Sequence, residues 1–129
     1  MIVDSSALLS VLQQEKEAEA VSRALLQGQP RRLSAASFVE VSIVVEARHA
    51  DAGIRELDSL LYRAAIEIVA VNEQQARLAR EAFRLFGKGR HKAGLNYGDC
   101  FAYALAKSLD EPLLCTGSDF RLTDIAVVL

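Results

Sequence analysis

The chain has 129 residues, 40 of them Leu, Ile, Val or Phe, a content too apolar for a disordered protein, so one globular domain covering 1–129 is expected. Fifteen basic against 17 acidic side chains give a formal charge of −2, which argues against a protein that holds nucleic acid by bulk positive charge. No apolar run reaches the roughly 18 residues of a membrane helix, and the start lacks a signal peptide's basic and apolar regions; a cytoplasmic chain beginning at Met1 is expected.

Met1 to Asp4 reads as a short buried strand, and Ser5 opens a helix with Ala7, Leu8, Val11 and Leu12 on one side. Ala20, Val21, Ala24 and Leu25 predict a second helix, stopped by Gly28 and Pro30. Arg32 to Ala35 reads as a second strand. Ser37 to Ala50 and Ile54 to Ala65 read as helices broken near Asp51 and Gly53, and β-branched Ile66 to Val71 as a third strand. Asn72 caps a helix to Phe86. A loop with Gly87, Gly89 and Gly94 leads to Asn96 and an almost wholly apolar helix, Cys100 to Leu109, before strands at Leu113 to Cys115 and Ile125 to Val128. Strands alternating with helices predict an α/β/α sandwich around a mainly parallel sheet, with ligands at the carboxyl ends of the strands. Cys100 and Cys115 match no metal-ligand spacing and sit in apolar runs, so disulfide and zinc readings drop out.

Four acids stand at strand ends or early helical turns of this plan. Asp4 ends the first strand and is also a natural N-cap. Glu40 projects from an apolar stripe of Ala36, Ile43, Val44 and Ala47, where a carboxylate has to be paired, neutralised or bound to a metal. Asp99 opens the apolar helix, although Asn96 and Asp99 also have capping-box spacing. Asp119 follows Leu113 to Cys115 through the turn Thr116, Gly117, Ser118, and serves equally well as a turn residue. In a parallel sandwich these places converge on one edge, and an all-oxygen acidic set suits Mg²⁺ or Mn²⁺. Between Arg77 and Lys92 six basic residues (Arg77, Arg80, Arg84, Lys88, Arg90, Lys92) meet one acid, Glu81. The first four step by 3, 4 and 4, forming one helical face, a local basic patch of the kind that holds nucleic acid; a merely solvated face is the alternative.

The stretches Met1-Ile2-Val3-Asp4-Ser5-Ser6-Ala7, Leu95-Asn96-Tyr97-Gly98-Asp99-Cys100-Phe101-Ala102-Tyr103-Ala104-Leu105-Ala106-Lys107 and Leu113-Leu114-Cys115-Thr116-Gly117-Ser118-Asp119-Phe120, with Thr123-Asp124-Ile125, resemble the PIN-domain toxins of the VapC type. The resemblance covers the whole chain. It implies a Mg²⁺- or Mn²⁺-dependent ribonuclease neutralised by a cognate antitoxin. Carried over by position, Asp4, Glu40, Asp99 and Asp119 are the acidic quartet, Ser6 and Thr116 support it, and Asp124 is structural. Water activated at metal held by Asp4, Asp99 and Asp119, with Glu40 completing the cage or orienting the water, leaves a 5′-phosphate and a 3′-hydroxyl. An apolar share of about 54%, counting Gly and omitting Tyr, exceeds the usual 45 to 50% and points to a protein partner. With the resemblance it leads us to expect a homodimer and an antitoxin helix laid across an apolar groove, with a basic side chain near the acids.

Three other readings are weighed. A receiver-like phosphoacceptor expects paired acids after the first strand, where this chain has only Asp4. A metal-free ribonuclease would use His49 and His91 as base and acid. A catalytically silent PIN-like fold would bind RNA or protein without cutting.

Overall fold

The computed structural model describes residues 1–27 and 30–129. Four strands, β1 (Ile2–Val3), β2 (Arg31–Ser34), β3 (Ile66–Val69) and β4 (Leu113–Leu114), form one sheet in the order β3-β2-β1-β4. Every pairing is parallel, with Ile2 opposite Arg32 and Leu113, and Val3 opposite Leu114. Helices α1 (Ser5–Leu12), α2 (Ala18–Gln27), α3 (Ala35–Arg63), α4 (Glu73–Phe86) and α5 (Tyr97–Leu109) cover it.

The three layers follow from strand alternation. Val3, Leu33 and Leu114 face a core with Ala7, Leu8, Val21, Val41, Val45 and Leu57 of α1, α2 and α3. Ile2 and Leu113 face the opposite core, with Ala79, Ala82, Ala102 and Leu105 of α4 and α5. Neighbouring residues of one strand thus hold the two helix layers, and burying each aliphatic side chain stabilises the fold by ~1.5–3 kcal/mol.

The breaks have local causes. Ala50 has φ 51° and ψ −140°, which kinks α3 where the break near Asp51 and Gly53 was expected. A Cβ on Gly53 would stand 2.5 Å from the Val45 carbonyl oxygen, so only glycine permits that approach. The expected stop of α2 at Gly28 lies outside the described residues. At Pro30–Arg31 the chain resumes with a buried arginine, whose guanidinium donates to the Leu25, Leu26 and Ala64 carbonyls. It satisfies carbonyls left open at the carboxyl ends of α2 and α3.

The expected strand Ile125 to Val128 is reduced to one bridge, Val127 with Leu113. Among the described residues two backbone hydrogen bonds join this segment to Leu113, from the Leu113 N–H to the Ala126 carbonyl and from the Val128 N–H to the Leu113 carbonyl. Helix α5 starts at Tyr97, three residues before the apolar run, because its cap is Asn96. No described helix is long and apolar enough to cross a membrane.

Candidate active site

Strands β1 and β2 run directly into helix caps, Asp4 for α1 and Ser34 for α3, so helix amino ends gather at the carboxyl edge of the sheet. Asp4 is 2% exposed. Its Oδ2 accepts the Ser6 N–H at 3.0 Å, while its Oδ1 is buried without any partner. Burial pushes the carboxyl above its ordinary range, and the charge of Glu40 adds to this. The capping and site readings of Asp4 are therefore compatible, since each oxygen has a separate environment.

Asp99 repeats the pattern. Asn96 Oδ1 accepts the Asp99 N–H at 2.9 Å and Asp99 Oδ2 accepts the Asn96 N–H at 3.0 Å, a complete capping box. The other carboxylate oxygen has no hydrogen bond among the described residues. Burial pushes Asp99 up to about 6, and the charges of Asp4, Glu40 and Asp119 push the same way. That mutual influence places all four acids in one neighbourhood.

Glu40 lies in the second turn of α3, half-buried, and accepts a hydrogen bond from Ser5 Oγ at 2.5 Å. No cation pairs with it among the described residues. It borders a groove of about 310 Å³ lined chiefly by Val39, Ile43, Val44, Tyr97 and Phe101. Asp119 begins the short 3-10 turn Asp119–Leu122 and is exposed. Ser6 Oγ accepts the Thr116 N–H at 3.1 Å, tying the Asp4 turn to the loop that carries Asp119. Thr116 thus contributes through its backbone. The supports that the sequence reading missed are Ser5 and Gly98, whose backbone abuts the Glu40 carboxylate. A glycine in the first turn of a helix was the available signal, since alanine is the better helix former.

No three acidic, His or Cys side chains among the described residues are gathered tightly enough to hold one ion as they stand. The donor set nevertheless fits a hard divalent cation: it is all oxygen, it includes a buried bare carboxylate oxygen, and it holds excess negative charge with no ion-paired basic side chain among the described residues. A cavity of about 570 Å³ between α1 and the second half of α3 contains none of the four acids.

Asp124 is held outside this group. Tyr103 Oη donates to its Oδ1 at 2.8 Å and Lys107 Nζ to its Oδ2 at 2.6 Å, clasping the carboxyl-terminal segment to α5. Asp124→Asn is expected to lower stability by about 1 kcal/mol, read by thermal melting.

Among the basic residues, Arg77 pairs with Glu73 and Arg84 with Glu81, so these two already have partners along their own helix. Arg90 lies over the Phe83 ring at 5.7 Å. Arg80, Lys88 and Lys92 are exposed without ion pairs among the described residues, and the Lys88 N–H bonds to the Leu95 carbonyl, just before the α5 cap. His91 Nδ1 accepts the Ala93 N–H at 3.0 Å, His49 is exposed near the α3 kink, and no contact links the two.

A parallel sheet of this order, wrapped by five helices and carrying acids at its carboxyl edge, defines an α/β/α fold with an acidic site. The PIN domain model matches residues 1–126. "Ribonuclease VapC" of Mycolicibacterium smegmatis is 52% identical over 128 residues, 99% of each chain. "Ribonuclease VapC30" of Mycobacterium tuberculosis is also 52% identical, covering 99% of this chain and 98% of its own. The chain belongs to the PIN-domain family, in its VapC group. The same fold occurs in Mycobacterium tuberculosis VapC20, described as a sarcin-ricin loop cleaving toxin, with a TM-score of 0.80 at 12% identity over 98% of this chain and 97% of that one. It also occurs in VapBC2 from Rickettsia felis, solved with a DNA fragment from its promoter, with a TM-score of 0.76 at 15% identity over 98% and 95%.

Proposed function

We propose that residues 1–129 form one nuclease domain, a Mg²⁺- or Mn²⁺-dependent endoribonuclease that acts in the cytoplasm as the toxin of a toxin–antitoxin pair. The observation that carries this reading is the paired state of Asp4 and Asp99. Each gives one oxygen to a helix cap and keeps the other free at the sheet edge, in a neighbourhood with a surplus of negative charge. The names of the 52% identical relatives support the substrate class.

Asp4, Asp99 and Asp119 would hold the cation, which when bound polarises a phosphate oxygen and makes water a better nucleophile. The protein's own work is positioning. Asp4 and Asp99 are fixed by backbone N–H groups, and Ser6 sets the distance between their turn and the Asp119 loop. Glu40 Oε1 is taken by Ser5, which leaves Oε2 to accept a hydrogen bond from the attacking water and orient it in line with the scissile bond. Cleavage of RNA by the purified chain in Mn²⁺, lost in EDTA and in Asp4→Asn, is the direct test; cleavage that persists in EDTA would overturn the reading.

RNA approach along the loop before α5 is supported by the unpaired Lys88 and Lys92. Replacing both with Ala is expected to reduce the salt dependence of RNA binding, lowering the slope of log K against log salt by about 1 to 1.5. An unchanged slope would leave these residues as a solvated surface.

The groove beside Glu40 has the chemistry for an antitoxin helix, because Ile43 is 61% and Tyr97 79% exposed on its rim. A basic side chain of that helix would compensate the acids. Ile43→Glu is expected to prevent co-purification with the antitoxin; retention of the complex would place the partner elsewhere. A homodimer as the core of that complex is checked by light scattering on the co-purified pair.

A further inference from the structure

We propose that Ser5 and Gly98 act together as positioning residues that fix the Glu40 carboxylate, one by a hydrogen bond and the other by the side chain it lacks. The inference rests on the nuclease reading above and goes beyond its four acids.

Ser5 is the first residue of α1, 7% exposed, and its hydroxyl donates to Glu40 Oε1 at 2.5 Å across 35 residues of sequence. It is the one hydrogen bond to the Glu40 side chain among the described residues. Glu40 needs such a fix, because its side chain has three rotatable bonds and borders a largely apolar groove. On the opposite side stands Gly98, in the first turn of α5. A Cβ there would come within 2.6 Å of Glu40 Cδ and 2.9 Å of Oε1, and closer still to Oε2.

Backbone conformation does not explain this glycine. Among the described residues the glycines with positive φ are Gly89, Gly94 and Gly117, whereas Gly98 sits in ordinary helix, where alanine is the better former. The Glu40 carboxylate occupies the space the missing methyl would fill. Thus α1 supplies a donor to one oxygen and α5 supplies a gap for the other, from the segments that also carry Asp4 and Asp99. Ser5 follows Asp4 in sequence, and Gly98 precedes Asp99. The same two segments that fix those acids also fix Glu40.

This arrangement makes predictions of opposite sign from a packing role. In Gly98→Ala the added methyl displaces only the flexible end of Glu40, and α5 gains a better helix former, so the melting temperature is expected to stay level or rise while kcat falls. Ser5→Ala is expected to lower kcat as well. Both losses should be about 10- to 100-fold with KM little changed. Ser5→Thr, which keeps the hydroxyl, should restore activity. In a Glu40→Gln background neither substitution should lower kcat further, because both act through that carboxylate. Carbon-13 spectra of the metal-free protein give a readout independent of turnover: the Glu40 carboxylate resonance should move in Ser5→Ala and Gly98→Ala and return in Ser5→Thr. An inactive Glu40→Gln protein alongside Ser5→Ala and Gly98→Ala proteins with the parent's kcat and an unmoved resonance would overturn the inference and leave the nuclease reading standing. A Glu40→Gln protein as active as its parent would instead overturn the role of Glu40 in the nuclease reading.

Discussion

Asp99→Asn is expected to reduce RNA cleavage about a thousandfold while the metal-free protein melts no lower than its parent at pH 7.5. The loss of activity follows from removing one charge from the cation site, where charge stabilisation is worth several kcal/mol. The stability result follows from the direction of its titration. Burial, joined by the neighbouring acids, pushes Asp99 in the folded chain up to about 6, above the ordinary 3.8. Between those values the folded state holds more protons than the unfolded one, so the Asp99 contribution turns unfavourable as pH rises through that window. Above pH 6 the charged carboxylate costs the metal-free fold about 1 kcal/mol, after allowing for its partial exposure to solvent. Asparagine removes that cost and keeps a carbonyl oxygen to accept the Asn96 N–H. Against this stands the loss of a favourable charge at a helix amino end, roughly 0.3 to 1 kcal/mol. The two nearly offset, with relief the larger. A mutant that cleaves RNA at the parent rate and melts lower than its parent would reduce Asp99 to a cap.

Millimolar Mn²⁺ or Mg²⁺ is expected to raise the melting temperature by several degrees against a control of matched ionic strength. A ligand confined to the folded state contributes ~2.7 kcal/mol at 100 times its Kd, and in a chain of this size each kcal/mol moves the midpoint by a few degrees. The gain should be small at pH 5 and grow toward pH 7.5, because Asp99 must give up a proton near pH 6 before it can bind a cation. Asp4→Asn should lose most of it. A melt that ignores both cations at pH 7.5 would overturn the metal site.

The layers of the fold were legible because β1 and β4 are short apolar runs and because Asp4 and Asn72 stand as caps at the starts of α1 and α4, and these are local signals. The break in α3 was legible for the same reason. The strand expected at Ile125 to Val128 was not, since Tyr103 and Lys107 reach back to Asp124 from a different element. At Asp4 and Asp99 the residue pattern could not separate a cap from a site acid, because both demand a carboxylate at a helix start, and only coordinates assign the two oxygens. The basic face was correctly periodic but incompletely charged: counting from Arg77 left out Glu73, one turn earlier, which pairs with it. Glu81 was inside the count, yet its neutralising contact with Arg84 was not weighed. Ser5 and Gly98 escaped because their meaning depends on Glu40, 35 and 58 residues away.

The capping bonds of Asp4 and Asp99 bear on how fast and at what entropic cost a cation is captured. A free carboxylate side chain gives up roughly 0.5 to 1.5 kcal/mol of rotamer freedom when it is immobilised on a ligand. In these two residues that freedom is already spent in the folded chain, because a backbone N–H holds one oxygen of each. Capture at this pair then requires no search by the protein, and for Mg²⁺ the slow event becomes the departure of water from the ion itself, which that cation resists. Asp119 is exposed, and its side chain has no hydrogen bond among the described residues. Association rates for Mg²⁺ and Mn²⁺ should follow the water-exchange rates of the two ions.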